Sequence, residues 1–588
     1  MSYKLKDELD IKITNRARKF CDKNKLTGSY NTIRKYANLI MSINDKIKWE
    51  DDILSNPYKL MKLDGVGFKR ADKIALQLNF PRDHEFRILA FVGTALEETS
   101  KGSTIIPFGE ISTYMKTQLD ISNSGKIIDT IINKSDDTYK ILDEKYKSTQ
   151  DLLDARFLTK TEWYEIEKGF YNLCVSISKL DNLKIPEEVK NKIISNFKFP
   201  LNKGQTYAIN IFDSFNINIL TGFGGTGKTT VTKSILQCLD ACGYSYINLT
   251  PTGISSKVFS NSTDFSSSTI HSFYFSNGEI DTDWLILDEC SMYSVDHIKM
   301  ILRMINKEKP PRLLMIGDVG QLSPISVGDP FYSLIKLITC GRIKGNIIKL
   351  EEIMRASSET FIPHLCLMFT DGRRYDSKYE KQKDLANVDF VPLENDIPNQ
   401  LLNIMNKNNF SFDNTLILIP QNTGDMGNNI VNGYLDEVFA DKEILYKDKY
   451  KTFRKNSYCM NIKNNKNLDI FNGERIRLIE KQGDNFICEK IDDGRIIEYD
   501  EDTFKENVQL SYSLTVHKCQ GITVENVIFV ASNKFSYMNT KELVYTGLSR
   551  ASKRLIILFD DGALYSSSRK KTFDKRMTFL GKISEMNK

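Results

Sequence analysis

Gly222-Phe223-Gly224-Gly225-Thr226-Gly227-Lys228-Thr229 decides how this chain is read. The stretch lies between an apolar run at 217–220 and a helix expected to begin near Thr230. Gly222, Gly224, Gly225 and Gly227 let the backbone curl so that successive N–H groups, with that of Thr226, point inward at phosphate oxygens. Lys228 would reach the β- and γ-phosphates, and the Thr229 hydroxyl is suited to ligate Mg²⁺. Each residue type has a mechanical reason to be there, and nucleotide hydrolysis is the first expectation.

About sixty residues downstream, Leu285-Ile286-Leu287-Asp288-Glu289 is an apolar strand ending in two acids. Asp288 is suited to hold Mg²⁺ and Glu289 to orient or deprotonate the attacking water. A further apolar segment, Leu313-Leu314-Met315-Ile316, runs into Gly317-Asp318-Val319-Gly320-Gln321-Leu322-Ser323-Pro324, which places Gln321 on a turn after a buried strand. In a parallel α/β sheet the carboxyl ends of the strands form the ligand crevice. Three strand ends carrying Lys228, Asp288-Glu289 and Gln321 therefore converge on one nucleotide.

With these residues in place, the chain resembles the superfamily 1 helicases, in particular the RecD-like, 5′-to-3′ branch (superfamily 1B) in its long, stand-alone form. Gln205 in Leu201-Asn202-Lys203-Gly204-Gln205 resembles the adenine-reading glutamine, and Thr250-Pro251-Thr252-Gly253 resembles motif Ia. Thr269-Ile270-His271-Ser272 is similar to motif Ib and Leu350-Glu351-Glu352-Ile353-Met354-Arg355 to motif IV. Ser513-Leu514-Thr515-Val516-His517-Lys518-Cys519-Gln520-Gly521 resembles motif V, and Val544-Tyr545-Thr546-Gly547-Leu548-Ser549-Arg550-Ala551 resembles motif VI. Order and spacing fit over residues 200–555.

The resemblance implies paired RecA-like domains, ATP and Mg²⁺ as cofactors, and Thr230, Gln520 and Gly521 beside the nucleotide. Arg355 and Arg550 would reach the γ-phosphate from the second lobe, where an arginine can contribute about 10³–10⁵-fold in rate. Hydrolysis would then depend on cleft closure. Pro251, Thr252, His271, Thr515 and His517 would grip a nucleic-acid backbone from the two lobes, so each cycle would shift one grip relative to the other. The implied partners are single-stranded DNA and forked or tailed duplex, with replication or recombination proteins as further partners and a monomer as the working unit. A superfamily 1 RNA helicase, an ATP-driven nucleoprotein switch and the motor subunit of a nuclease complex share the motor motifs and stay open.

The 588 residues suffice for three or four domains, and 41% hydrophobic content is ordinary for a soluble globular protein. A balance of 81 basic and 76 acidic residues gives only +5, so a nucleic-acid track must be a local groove. Arg569, Lys570, Lys571, Lys575 and Arg576 form a basic cluster near the carboxyl end. Ten scattered cysteines without a CxxC spacing give no support for a zinc or iron–sulfur site. The absence of an eighteen-residue apolar run and of a signal-peptide pattern leads to the expectation of a soluble intracellular protein, in a cellular or virus-infected setting.

An amino-terminal helical domain is expected over 1–195. Within it, Leu63-Asp64-Gly65-Val66-Gly67-Phe68-Lys69-Arg70 reads as a helix-hairpin-helix near 56–80. Gly65 and Gly67 permit a tight turn whose free N–H groups, with Lys69 nearby, can either meet a duplex phosphate or serve only packing. Residues 105–195, including 153–173, show helical patterning. A first RecA-like domain is expected over 196–349 and a second over 350–588.

Two insertions complete the reading. Phe273-Tyr274-Phe275-Ser276-Asn277-Gly278-Glu279-Ile280-Asp281 alternates around Asn-Gly and predicts a short β-hairpin. In the family such a hairpin is the strand-separation pin, and Phe273, Tyr274 or Phe275 could stack on a base or pack in the core. Short strands over 470–508, broken by Gly483-Asp484 and Asp493-Gly494, predict a small β-barrel. Similar insertions in the family form a Src-homology-three-type barrel.

Overall fold

The computed structural model describes residues 3–43, 48–134, 137–143, 156–197, 200–352, 360–370, 373–382, 385–465, 467–570 and 576–585. It divides into two compact units, 1–165 and 166–588. Arg355, Lys571 and Lys575 lie outside the described residues, as does the start of the 153–173 segment. No helix among the described residues is long and apolar enough to cross a membrane.

The first unit is mainly helical. Its hairpin runs from a 3-10 turn, Pro57–Lys62, into the helix Phe68–Gln77. Gly65 supplies the positive φ of +77° that the turn requires, and Gly67 stands at the helix N-cap. Val66 is the buried residue between them. The hairpin is locked by a buried ion pair in which Arg87, on the helix Glu85–Thr99, donates to both oxygens of Asp72 at 2.8 and 3.0 Å. Arg87 also donates to the carbonyls of Arg82 and Leu119, and Tyr58 donates to Asp72 at 2.7 Å. In a fully hydrogen-bonded pair of this kind the mutual attraction and the added hydrogen bonds offset the desolvation cost that an isolated buried charge would carry unrelieved.

The all-helical expectation for 105–195 is corrected here. Strands β1 (Ile106–Pro107), β2 (Tyr139–Asp143) and β3 (Arg156–Lys160) form an antiparallel sheet in the order β1-β3-β2. The run Arg156-Phe157-Leu158-Thr159-Lys160 carries a continuous buried centre that is compatible with either a strand or one face of a helix, and pairing decides between them. The domain limit is also corrected, from 195 to 165. The helix Glu187–Ser195 belongs with the second unit because Lys190 makes a buried ion pair with Asp213 at 2.8 Å and Val189 and Ile193 join the core under the phosphate loop.

In the second unit, β4 (Ile217–Gly222), β5 (Tyr246–Thr250), β6 (Ser268–Thr269), β7 (Trp284–Leu287), β8 (Arg312–Gly317) and β9 (Asn346–Leu350) make a wholly parallel sheet in the order β6-β5-β7-β8-β4-β9. All four residues of β7 are buried, as expected of a strand covered on both faces. A second parallel sheet has the order β10-β21-β20-β11-β19. Its strands are β10 (Val388–Pro392), β11 (Thr415–Leu418), β19 (Ser513–Leu514), β20 (Val524–Ala531) and β21 (Ala551–Phe559). Separate apolar cores lie on its two faces, one centred on Leu416, Phe529 and Leu555 and the other on Ile417, Ile528 and Leu558. That alternation along each strand makes the sheet the middle layer of a three-layer lobe.

Between β11 and β19 the chain inserts a hairpin, β12 (Ile444–Lys447) and β13 (Thr452–Arg454), and a five-stranded antiparallel sheet. Strands β14 (Tyr458–Asn461), β15 (Arg475–Gln482), β16 (Asn485–Lys490), β17 (Ile496–Asp500) and β18 (Val508–Leu510) run in the order β17-β16-β15-β14-β18. The small β-barrel expected over 470–508 is thus an open sheet over a longer stretch. Its end strands β17 and β18 are joined by the helix Glu501–Asn507, whose Phe504 stacks on Phe486 at 4.1 Å and plugs the core in place of strand pairing.

The β-hairpin expected at 273–281 is a helix instead, Ile270–Phe275. Thr269 caps it by accepting from Ser272 N–H at 3.0 Å, and Asn277, in the left-handed region at φ +55°, ends it. The Asn-Gly pair therefore stops a helix and does not turn a hairpin. The local capping bonds prevail, and after Gly278 the chain pairs away from this segment, Ile280 making a parallel bridge to Ile305.

Candidate nucleotide cleft and nucleic-acid face

The phosphate loop leaves β4 and enters the helix Lys228–Ala241. Gly225 and Gly227 both have φ of +83°. A Cβ on Gly222 would lie 2.7 Å from the Leu350 carbonyl oxygen, so the loop is both conformationally and sterically committed to glycine. Thr226 is buried and donates to the Phe223 carbonyl at 2.8 Å, closing the loop. Lys228 Nζ folds back onto the Gly222 and Phe223 carbonyls at 2.6 and 3.2 Å, which holds an ammonium at the loop's mouth. The Gln205 amide faces the loop's backbone: its Oε1 accepts from Asn202 N–H at 3.1 Å and its Nε2 donates to Thr226 O at 3.3 Å. It braces the loop in this state, and both of its amide atoms are engaged within the protein.

Asp288 follows β7, and its N–H is held by the Leu249 carbonyl of β5 at 3.0 Å. Burial, with the neighbouring Glu289 carboxylate second, pushes the Asp288 carboxyl up to about 7, against the pull of the Glu289 backbone hydrogen bond and of Lys228. Glu289 sits in the left-handed region at φ +51°. Such a conformation in a non-glycine residue costs about 1–3 kcal/mol and here fixes the direction of a carboxylate. Thr229 is exposed at the first turn of its helix. Its hydroxyl and the Asp288 carboxylate are the hard oxygen donors that fit Mg²⁺ held in company with phosphates. Among the described residues no cluster of three or more His, Cys, Asp or Glu side chains could hold a metal by itself.

Gln321 lies on the turn after β8, 5% exposed, and its Oε1 has no hydrogen-bond partner. Gln520, 6% exposed, likewise leaves Nε2 unpartnered. Buried amide atoms left open are costly and are accounted for when a water or ligand joins them. Arg550 is buried in the second lobe, with its guanidinium on the Thr546 and Ile522 carbonyls and the Ser549 hydroxyl at 3.0–3.2 Å.

Two residues that sequence reasoning did not assign join the lobes. The Tyr545 hydroxyl accepts from Gly224 N–H of the phosphate loop at 3.0 Å and donates to Asp318 Oδ2 at 2.6 Å. Asp318 Oδ1 accepts from Gly320 N–H at 2.9 Å, and Leu322 N–H donates to the Thr546 hydroxyl at 3.0 Å. A phenol from the second lobe thus ties the loop to the turn bearing Gln321. Both residues stand in the quoted motifs, but nothing in their spacing signals a bridge across 227 residues.

On the other face, Thr252 caps the helix Gly253–Thr263 by accepting from Ser255 N–H at 3.1 Å, next to Pro251. The insertion meets this helix directly. The Phe471 ring covers Gly253, where a Cβ would come within 2.3 Å of it, and Lys257 pairs with Asp493 at 2.8 Å. Gly521, at φ +82°, lies against the Ser255 hydroxyl. Thr515 and His517 lie at the carboxyl end of β19, where burial lowers the His517 pKa. His271 stacks edge-on against His297 at 5.4 Å. Of the three aromatic residues after it, the Phe273 ring packs on Gly278, Tyr274 accepts from Arg303 at 3.0 Å, and Phe275 is 70% exposed. In the first unit Gly65, Gly67 and Lys69 are all exposed.

Three family models match the chain: an ATP-dependent RecD2 DNA helicase HHH domain at 30–105, an AAA domain at 200–389 and a UvrD-like helicase C-terminal domain at 510–558. The protein MJ1519 of Methanocaldococcus jannaschii is 23% identical over 87% of this chain and 53% of its own length. The ATP-dependent RecD2 DNA helicase of Deinococcus radiodurans is 26% identical over 60% of this chain and 48% of its own length. The RecBCD enzyme subunit RecD of Buchnera aphidicola from Schizaphis graminum is 25% identical over 58% of this chain and 70% of that protein. The chain spans about half the length of the first two of these relatives. A solved structure of Pif1 helicases at forked duplex DNA aligns at TM-score 0.42 and 16% identity, over 64% of this chain and 95% of that one. In chain order, then, this sequence is similar to an HHH domain of RecD2 type, an AAA domain and a UvrD-like helicase C-terminal domain, and its relatives include proteins of both RecD2 and RecD type.

Proposed function

We propose that this chain is an ATP-dependent DNA helicase that moves 5′-to-3′ on a single strand and opens forked or tailed duplex. The observation that carries the reading is the bridge from Tyr545 to Gly224 and Asp318, because it makes the hydrolytic cleft a property of both lobes at once. ATP with Mg²⁺ supplies the phosphoryl group whose transfer drives the cycle. Lys228 and the loop N–H groups hold the phosphates, Thr229 and Asp288 offer oxygen ligands to the cation, and Glu289 orients a water. Gln321, tied to the second lobe through the Asp318 turn, reports whether the cleft is closed. Arg550 is a cationic group available from the second lobe, and Arg355 is assigned the same role on its sequence context alone.

Movement follows from two grips: Pro251, Thr252 and His271 on the first lobe, and Thr515 and His517 on the second. The helix-hairpin-helix in the first unit supports duplex DNA, in place of RNA, as the substrate, with Gly65, Gly67 and Lys69 at its backbone. A monomer acting inside a cell, with replication or recombination proteins as partners, completes the reading. The test is ATP-driven strand separation on matched duplexes bearing a 5′ or a 3′ single-stranded tail, with Glu289→Gln as the inactive control. Opening of the 5′-tailed duplex alone is expected; opening of the 3′-tailed duplex alone, or ATP hydrolysis with neither opened, would overturn it.

A further inference from the structure

Side-chain alternation in the first sheet separates two compartments at its carboxyl edge. Leu220 of β4 and Ile348 and Leu350 of β9 join the core beneath the helix Lys228–Ala241, which carries Lys228 and Thr229. Their neighbours Thr221, Ile347 and Lys349 therefore face the opposite side of the sheet, with Thr221 in register beside Lys349. On that side lies a cavity of about 390 Å³. The first lobe lines it with Val319 and, from the helix Pro330–Thr339, with Tyr332 and Ile335. The second lobe lines it with Phe369, Thr370 and Lys541. Phe223 of the phosphate loop completes the wall.

The cavity is chemically unlike the nucleotide cleft. None of Lys228, Thr229, Asp288, Glu289, Gln321 and Arg550 lines it. Its charged walls, Lys349 and Lys541 with Glu351 and Glu542, balance one another, so it offers no positive field to a polyphosphate. The rest is mostly apolar, with the rings of Phe223, Tyr332 and Phe369 beside Val319, Ile335 and Ile347. Thr221, 4% exposed, leaves its Oγ1 without a hydrogen-bond partner. That open hydroxyl can either donate or accept, and a ligand that joins it relieves the cost of leaving it unpaired. Aromatic walls around one buried polar anchor, in a volume of this size, are the build of a small-molecule site.

We infer that this cavity binds a neutral, flat aromatic molecule, with a hydroxyl or amide hydrogen-bonded to Thr221 Oγ1, and that the bound molecule restrains the lobes. Because the walls come from both lobes, such a ligand binds one lobe arrangement better than others and shifts the population toward it. Phe223 connects the two compartments: it lines the cavity and its ring meets the Tyr545 ring edge-on at 5.9 Å. The Tyr545 hydroxyl in turn holds Gly224 and Asp318. Occupancy keeps that bridge made, and a cycle that requires the lobes to part slows. The effect on hydrolysis rests on the ATP-driven reading above; binding of the aromatic molecule does not.

Titration of the full chain with 1-naphthol, a neutral bicyclic phenol, followed by its own fluorescence, tests the site. Saturable binding is expected. Ile335→Trp fills the cavity and should abolish it. Thr221→Val removes only the hydroxyl and should weaken it about 2- to 10-fold. Since that change also removes an unpaired buried group, Thr221→Val folds at least as stably as wild type and carries the test if Ile335→Trp does not fold. With naphthol saturating, kcat for ATP hydrolysis should fall while KM stays within about twofold, and ADP with Mg²⁺ should bind alongside it. No saturable binding, mutually exclusive binding of naphthol and ADP, or undiminished binding in either folded variant would overturn the inference. Bound naphthol with unchanged kcat would overturn its restraint of the lobes. A wild-type chain that binds naphthol but does not hydrolyse ATP would overturn the enzymatic reading and leave the site standing.

Discussion

At the scale of single residues, the cleft is organised around groups that have no substitute. Lys228→Ala removes the ammonium that lies on the Gly222 and Phe223 carbonyls, and ATP hydrolysis should fall about 10²-fold or more while oligothymidine binding persists. Phosphate release against time, beside anisotropy, checks both halves. Tyr545→Phe keeps the ring and removes the hydroxyl shared by Gly224 and Asp318. Because that variant leaves the buried Asp318 acceptor and the loop N–H open, kcat should drop about tenfold with KM changed less, a split that steady-state kinetics resolves. Lys228 was legible from the loop pattern alone. Tyr545 was not, since its partners are remote in sequence and only the packing of two lobes brings them together.

At the scale of elements, the short helix Ile270–Phe275 is the clearest case of local chemistry overruling a pattern. Alternation and Asn-Gly speak for a hairpin, yet Thr269 caps a helix and leaves the three aromatic residues in different surroundings. Phe275→Ala should reduce strand separation more than single-strand-stimulated ATP hydrolysis, because Phe275 is the exposed ring. Phe273→Ala should instead lower the melting temperature, because its ring covers Gly278. The same face offers a pH prediction. Burial, with His271 alongside, holds the His297 imidazole down at about 4. Between that value and its ordinary 6.5 the unfolded chain binds the extra proton, so acidification through this window destabilises the fold. His297→Gln should lose less melting temperature than wild type on going from about pH 6.5 to 4.5; an equal loss would show that His297 does not carry the effect.

For the second unit as a whole, the carboxyl-terminal segment matters more than its composition suggests. The basic cluster near the end reads as a solvated or phosphate-binding tail, but Arg576 is turned inward. It donates to the carbonyls of Pro324 at 2.5 Å, Gly328 at 3.0 Å and Ser326 at 3.3 Å, all on the loop that follows Gln321. Thr578 bonds the Ser333 hydroxyl at 3.0 Å and Phe579 N–H donates to Glu167 at 2.9 Å. The chain thus leaves the second sheet and returns to the first, strapping the two lobes. Arg576→Ala strips three carbonyls of their donor and should cost about 1–3 kcal/mol. Chemical denaturation would measure the cost, and earlier proteolysis near the carboxyl end should accompany it.

The sequence by itself determined the α/β class and the phosphate loop, because a phosphate cradle is local: its glycines, lysine and threonine are neighbours in the chain. It also determined the helix-hairpin-helix, whose turn is written in Gly65 and Gly67, two positions apart. Tertiary structure alone decided the rest. The strand at 156–160, the open sheet in place of a barrel, the helix at 270–275 and the 165 limit depend on which surfaces find partners. The Tyr545 bridge and the Arg576 strap depend on distances between segments far apart along the chain. Such contacts are set by packing and hydrogen bonding across lobes, and residue spacing carries no record of them.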